Sequence, residues 1–350
     1  MRWKYVGRVL VAGIIAFIFF ITVPWQFFGP VQFGFFMDEV LGQRVTAARR
    51  LAPVGQCPGD FADWPGNFVY VTVKTTAANH ANRIKWQMQT WVPLALSIRG
   101  KNNESLVKVS LVSDAVDSLH NINVGGRMVK TSCPSSHNKT DLCCKMAAEF
   151  DLYLAEKKSS QWFCHVDDDN YVNIFNLLKH LRKLDSSVPL YIGKSSRGPT
   201  KLKDSLSVLP LPIWGRATTP YITFSFATGG AGFCLSSVAV RRIKSKISKQ
   251  YGGAGLEALC RKMSGLADDV AIGYITGYYN ITLMQMPQFH SHLEKLSTLS
   301  TQDIREAVTL SYTKYRSYEN TVSLPPDVLL PKNTDPTRFL SAHKFLRAPC

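Results

Sequence analysis

From Phe68 onward the chain alternates short, β-rich apolar runs with helical stretches, and this alternation restricts its fold more than any other feature. Phe68-Val69-Tyr70-Val71-Thr72-Val73 has the look of a buried strand. A helical stretch at about 79–91 follows, with Ile84, Met88 and Trp91 on one face. Then come a strand at 107–112, a helix at 144–155, a strand at 162–166, a helix at 172–184 and a strand at 190–193. Further on lie an apolar run at 221–226, a glycine-rich run at 229–234 and helices near 237–248 and 269–276. The final 50 residues read as loops with short strands. Segment 195–220, rich in proline and basic residues, reads as a mobile loop over a site. Strands alternating with helices predict an α/β fold with a mostly parallel sheet, whose ligands bind beyond the carboxyl ends of the strands. No period of 20–50 residues recurs, which excludes a repeat array, and 45% hydrophobic residues suffice for a packed core.

The N-terminus speaks to location. Arg2, Lys4 and Arg8 precede an uncharged apolar run over 9–31, and the next charge is Asp38. That length approaches the ~20 residues that span a bilayer, and the charge order puts the N-terminus in the cytoplasm. A cleaved signal peptide is the rival reading, but the far end is bulky, with Phe19, Phe20, Pro24 and Trp25, and shows no small-residue cleavage site. The expectation is a cytoplasmic tail at 1–8, a signal anchor at 9–31, a stem at 32–66 and a catalytic domain at 67–350. None of the eight cysteines has CxxC spacing, so disulfides in an oxidising lumen are expected rather than a zinc site. The N-x-S/T triplets at Asn103, Asn138 and Asn280 agree with that compartment. The net charge of +16 is spread along the chain, which argues against a nucleic-acid partner and suits an acidic ligand such as a sugar diphosphate; a solubility role accounts for it equally.

Asp167-Asp168-Asp169 follows the 162–166 strand. Adjacent carboxylates at a strand end repel unless a cation or donors neutralise them. Hard oxygen ligands suit magnesium or manganese, and an added imidazole favours manganese; the competing reading is a solvated acidic turn. His290 and His292 lie two residues apart, so an extended backbone would turn them to opposite sides and only one would reach a metal. Asp268-Asp269 opens an apolar helix, where a carboxylate serves either as an N-cap or as a general base. Thr75 and Arg83 follow the first strand, where α/β folds bind nucleotides; Arg83 suits a phosphate or an exposed helix face. Gly229 and Gly230 permit close backbone approach to a ligand.

The wider string Trp162-Phe163-Cys164-His165-Val166-Asp167-Asp168-Asp169-Asn170-Tyr171-Val172-Asn173 closely resembles the aspartate motif of Fringe glycosyltransferases. So, in the same order, do Val73-Lys74-Thr75-Thr76, Cys144-Lys145-Met146-Ala147, Phe226 to Cys234, Asp268-Asp269, Phe289-His290-Ser291-His292-Leu293-Glu294 and Val308 to Tyr312; together they cover roughly 67–345. The resemblance implies a GT-A fold with a Rossmann-like, mostly parallel sheet, preceded by the transmembrane helix. It implies inverting transfer of N-acetylglucosamine from UDP-GlcNAc, in β-1,3 linkage, to O-linked fucose on EGF-like repeats of a Notch-type receptor. The implied cofactor is Mn2+, held by Asp169 and His292 (or His290). Asp269 is the implied base, and Thr75, Arg83, Asp167, Asp168, Gly229, Gly230 and Asp268 the donor or substrate contacts. It also implies a single-pass type II protein of the Golgi membrane, with Cys133–Cys144 and Cys164–Cys234 as bridges; Cys57, Cys143, Cys260 and Cys350 stay unassigned. Ser225 stands where the family has a tryptophan, segment 195–225 is longer, and Lys344 follows His343 where the family has a cysteine. The alternatives are a related β-1,3-galactosyltransferase and a catalytically silent glycan-binding protein on the same fold.

Overall fold

The computed structural model describes residues 61–203, 221–252, 255–263 and 265–347. The expected tail and anchor, nearly all of the stem, most of the 195–220 segment, Cys57 and Cys350 lie outside them. Among the described residues no helix is long and apolar enough to cross a membrane.

The first half builds strands β1 (Val69–Lys74), β2 (Val107–Ser113), β3 (Met128–Lys130), β4 (Trp162–Asp167), β5 (Asn170–Val172) and β6 (Tyr191–Gly193). The second half adds β7 (Thr200–Lys203), β8 (Tyr221–Phe224), β9 (Phe233–Ser236), β10 (Leu283–Gln285), β11 (Phe289–His290), β12 (Thr309–Ser311), β13 (Thr313–Tyr315) and β14 (Tyr318–Asn320). Seven of them form the central sheet, in the order β10-β6-β9-β4-β1-β2-β3. The sheet is mixed and mostly parallel, as expected: β9 alone runs antiparallel, pairing β4 on one side and β6 on the other. A three-stranded sheet, β11-β12-β5, stands beside it.

Period-two alternation divides the core between the faces of the central sheet. Val69, Val71 and Val73 pack into one cluster with Ile84, Trp91, Leu177 and Phe339. Tyr70 and Phe163 join the other, with Phe150, Ile243, Leu259 and Ile275 from four helices. Those helices are Lys139–Ala155, Ser237–Ile247, Gly255–Lys262 and Asp268–Tyr278.

Several elements depart from expectation. The helix expected over 79–91 is a 3-10 turn (Ala77–Asn79), a π turn (His80–Ile84) and a short α-helix (Lys85–Met88), after which a new helix runs Trp91–Ser97. Pro93 explains the restart: lacking an N–H, it is tolerated in a helix's first turn and not inside it. Ile84, Met88 and Trp91 are nevertheless all buried. The helix expected from 144 begins at Lys139, because the Asn138 side chain accepts from the Asp141 backbone N–H at 2.9 Å and caps it. The helices Gly255–Lys262 and Phe339–Arg347 were not expected, and part of the 195–220 segment is the strand β7, paired with β8.

Both expected disulfides, Cys133–Cys144 and Cys164–Cys234, are present, and Cys143 pairs with Cys260. Cys164 and Cys234 are direct cross-strand partners in the β4–β9 register. Just before β9, Gly232 has φ +81°, and a Cβ there would lie 2.9 Å from the His165 carbonyl oxygen and 3.0 Å from Val166 Cγ1. Gly232→Ala is expected to cost about 1–3 kcal/mol, read as a lower denaturant midpoint with an unchanged m-value.

Candidate active site

The C-terminal ends of β1 and β4 meet in register, with Lys74 opposite Asp167. Beyond them a cavity of about 380 Å³ opens. Thr75, Arg83, Asp167, Asp168, Asp169, Gly229, Gly230, Asp268, Asp269 and His292 all line it. Of the residues singled out from sequence, only His290 does not.

The acid run is a turn between β4 and β5, closed by the Asn170 side chain. Asn170 accepts from the Asp167 N–H at 2.9 Å and donates to the Gly230 carbonyl at 2.9 Å, so one residue ties the acids to the glycine segment. Gln87 Nε2 donates to the Asp167 and Asn170 carbonyls and holds the turn from behind.

The three carboxylates have different surroundings. Asp168 accepts from Thr75 Oγ1 at 2.8 Å, Asn79 Nδ2 at 2.8 Å and Arg83 at 2.9 Å. Asp169 receives only Arg83 at 3.2 Å and Ser311 at 3.4 Å. Burial, then Asp167 and Asp168, hold its carboxyl well above the usual range despite Arg83. Arg83 thus lies on the acids rather than on an exposed helix face.

Asp167 belongs to a buried row of charges that the sequence reading did not assemble. Glu149 Oε2 meets His165 Nδ1 at 2.7 Å, and His165 Nε2 faces Asp167 Oδ1 at 3.5 Å. Lys74 Nζ lies 3.3 Å from Asp167 and 2.5 Å from Asp268. Burial works against the Lys74 ammonium, but Asp167 and then Asp268 outweigh it and hold its pKa well above the ordinary value. Burial likewise disfavours the Asp167 anion, yet Lys74 and then His165 bring its carboxyl far below the carboxylate range. His165, opposed by burial and favoured chiefly by Glu149, rises to about 9. The available signal was a lysine ending an otherwise apolar strand, and a glutamate and a histidine at fully buried positions.

The two histidines have different surroundings. His290 Nδ1 meets Glu294 at 3.2 Å, and Glu294 also takes Lys194 at 2.6 Å. His292 turns to the cavity, its buried Nδ1 without a hydrogen-bond partner and 4.0 Å from Asp169 Oδ2. Burial lowers its pKa and so favours the neutral ring. A Cβ on Gly230 would lie 3.0 Å from His292 Cε1, and one on Gly229 would lie 3.4 Å from Asp269 Cβ. The close approach these glycines allow is therefore made by protein side chains.

Asp268 does not cap its helix. The N-cap is Ala267, and Asp268 accepts from Lys74 and from the Asp269 N–H. Asp269 accepts from Gly229 N–H at 3.0 Å and Val270 N–H at 2.7 Å. Burial, then Asp268, raises its pKa above the ordinary carboxylate value.

The family model described as Fringe-like matches residues 66–349. Radical fringe of Gallus gallus, named a β-1,3-N-acetylglucosaminyltransferase, is 35% identical over 280 residues, covering 79% of this chain and 68% of its own. Lunatic fringe of Danio rerio is 31% identical over 312 residues, covering 87% and 76%. Manic fringe of Homo sapiens is 35% identical over 287 residues, covering 79% of each chain. Among solved structures, a glycosyltransferase involved in the glycosylation of the major capsid of PBCV-1 superposes with a TM-score of 0.36 at 15% identity, covering 70% of this chain and 92% of its own. The glycosyltransferase GlyE of Streptococcus pneumoniae TIGR4 superposes with a TM-score of 0.34 at 11% identity, covering 63% and 46%. At such TM-scores the assignment rests on the sequence relatives alone. They define the class: the chain is a glycosyltransferase. Within that class it belongs to the Fringe family.

The buried charges predict a pH effect on stability. His165 titrates near 9 when folded and near 6.5 when unfolded. Its stabilisation is therefore complete below about pH 6.5 and is lost as pH rises through 9. In Glu149→Gln the imidazole loses its main anion, so this decline in unfolding free energy between pH 6.5 and 9 should flatten. Lys74→Met, which strands the buried Asp268 and the half-buried Asp167, is expected to cost about 3–5 kcal/mol in denaturant titration.

Proposed function

We propose that this chain is an inverting β-1,3-N-acetylglucosaminyltransferase of the GT-A type. It transfers N-acetylglucosamine from UDP-GlcNAc to O-linked fucose on EGF-like repeats of a Notch-type receptor, with Mn2+ as cofactor and Asp269 as general base. One observation carries the reading: the acid run, His292 and the Asp268-Asp269 pair, distant in sequence, line a single cavity.

The residues fit a divalent cation. An unpartnered, neutral imidazole nitrogen and a carboxylate oxygen face each other across 4.0 Å, and the carboxylate is destabilised as an anion by its burial and its acidic neighbours. Oxygen with imidazole nitrogen is a donor set suited to manganese. Asp169 and His292 would hold the ion, which supplies positive charge to the donor diphosphate as the glycosidic bond breaks. Thr75 and Arg83 orient the nucleotide end, Arg83 supplying a guanidinium for a phosphate. Asp167, Asp168 and Asp268 border the donor sugar and ribose, with Lys74 lying against both Asp167 and Asp268. The acceptor hydroxyl attacks the anomeric carbon opposite the leaving group, and Asp269 takes its proton. A carboxyl raised by burial is a better proton acceptor than one in water. The three disulfides support an oxidising lumen. With the apolar run at 9–31, they favour a type II protein of the Golgi membrane, anchored by that run.

Offered several UDP-sugars with Mn2+ and an O-fucosylated EGF repeat, the enzyme should transfer N-acetylglucosamine; transfer of galactose alone, or to acceptors without fucose alone, overturns the reading. Asp269→Asn should lower kcat by about 100- to 10,000-fold in a protein of unchanged circular dichroism. The wild-type kcat/KM should fall as pH drops through a pKa above the ordinary 3.8, because only the Asp269 anion accepts a proton. Added Mn2+ should raise the melting temperature of the wild type but not of Asp169→Ala or His292→Ala.

A further inference from the structure

Thr313 is both a wall of the cavity and the first residue of β13, so the β13–β14 hairpin continues directly from the active site. Its register pairs Thr313 with Asn320 and Tyr315 with Tyr318. Strand alternation places these four residues on one face. Asn320 is buried and fixes that face to the segment carrying His292. Its Nδ2 donates to the His292 carbonyl at 2.9 Å and the Glu294 carbonyl at 2.6 Å, and its Oδ1 accepts from the Leu296 N–H at 2.9 Å.

The outer part of the same face is uncovered. Tyr315 is 65% exposed and Tyr318 58%, and Leu293, between the two clipped carbonyls, is 63% exposed. Two aromatic rings and a leucine displayed beside a catalytic cavity are unusual for a surface that touches only water. Arg316 is exposed as well, and among the described residues it forms no ion pair. Arg316 adopts φ +53°, the left-handed region that non-glycine residues rarely occupy, and its guanidinium sits 5.2 Å from the Tyr315 ring centre. This residue opens the two-residue turn of the hairpin, where a positive φ matches the twist of the strands.

We propose that this hairpin face docks the polypeptide that carries the acceptor sugar, a polypeptide of acidic character. The inference rests on the proposed transfer reaction and adds where the protein part of the acceptor binds. Tyr315 and Tyr318 give flat apolar faces for the acceptor's apolar side chains. Arg316, at the tip of the hairpin, attracts its acidic groups. Continuity through Thr313 lets a polypeptide lying on the hairpin present its sugar to Asp269. A free sugar fills the cavity and never reaches the tyrosines.

The test compares two acceptors, an O-fucosylated EGF repeat and p-nitrophenyl α-fucoside, with UDP-GlcNAc as donor, using the full chain and its Tyr315→Ala/Tyr318→Ala and Tyr315→Phe/Tyr318→Phe variants. Binding of the fucosylated repeat to each protein is also measured directly, apart from turnover. The alanine pair should raise the KM for the repeat and weaken its binding by about tenfold or more. The KM for UDP-GlcNAc and turnover of the small fucoside should hold, and the phenylalanine pair should restore the repeat. Binding of the repeat by the wild type should weaken as salt rises. Equal binding by wild type and the alanine pair, no binding by the wild type, or equal loss on both acceptors overturns the docking site. Binding of the repeat without any transfer by the wild type overturns the functional reading and leaves the docking site standing.

Discussion

The site depends on one buried ammonium. Lys74 stands between Asp167 of the acid run and Asp268 of the helix that carries Asp269. Without a cation between them, those carboxylates would repel each other. The lysine bridges both and fixes the two acidic segments against each other. Glu149 and His165 extend the pattern, so negative and positive groups alternate along the row from Glu149 to Asp268. The parallel register of β1 on β4 supplies the geometry by bringing Lys74 opposite Asp167. Sheet pairing and charge pairing therefore specify the same arrangement.

Within the acid run the environments divide the labour. Asp168 is saturated by three donors, and Asp167 answers to Lys74 and His165. Asp169 has the least favourable surroundings for its charge, and the His292 nitrogen without a partner among the described residues faces it. Arg83 spans Asp168 and Asp169, so it lies at the boundary between the satisfied and the unsatisfied carboxylate.

Much of this was legible in the sequence. The alternation of strands and helices foretold a mostly parallel sheet, because its buried strands are rich in β-branched and aromatic residues. The acid run, the glycines and the later acidic pair, singled out as candidate ligand contacts, line one cavity. What could not be read was register. Nothing local says that Lys74 falls beside Asp167, or that Asn320 clips a hairpin to the His292 segment. Helix ends shifted where a side chain captured a backbone N–H, as at Asn138, or where a proline denied one, as at Pro93. Helices Gly255–Lys262 and Phe339–Arg347 escaped notice because their apolar residues make sense only against the faces they cover.

β9 reverses the direction of the sheet, so the residues that precede it, rather than those that follow, arrive at the catalytic edge. The Cys164–Cys234 bond joins direct partners across that reversed strand, and a slip of even one position would turn every side chain to the wrong face. Covalent anchoring of this kind insulates the glycine strap from whatever chain leads into it. The stretch ahead of the bridge is thereby free to gain or lose residues over evolutionary time, and to diversify at the rim, while the distances among acids, imidazole and glycines stay fixed.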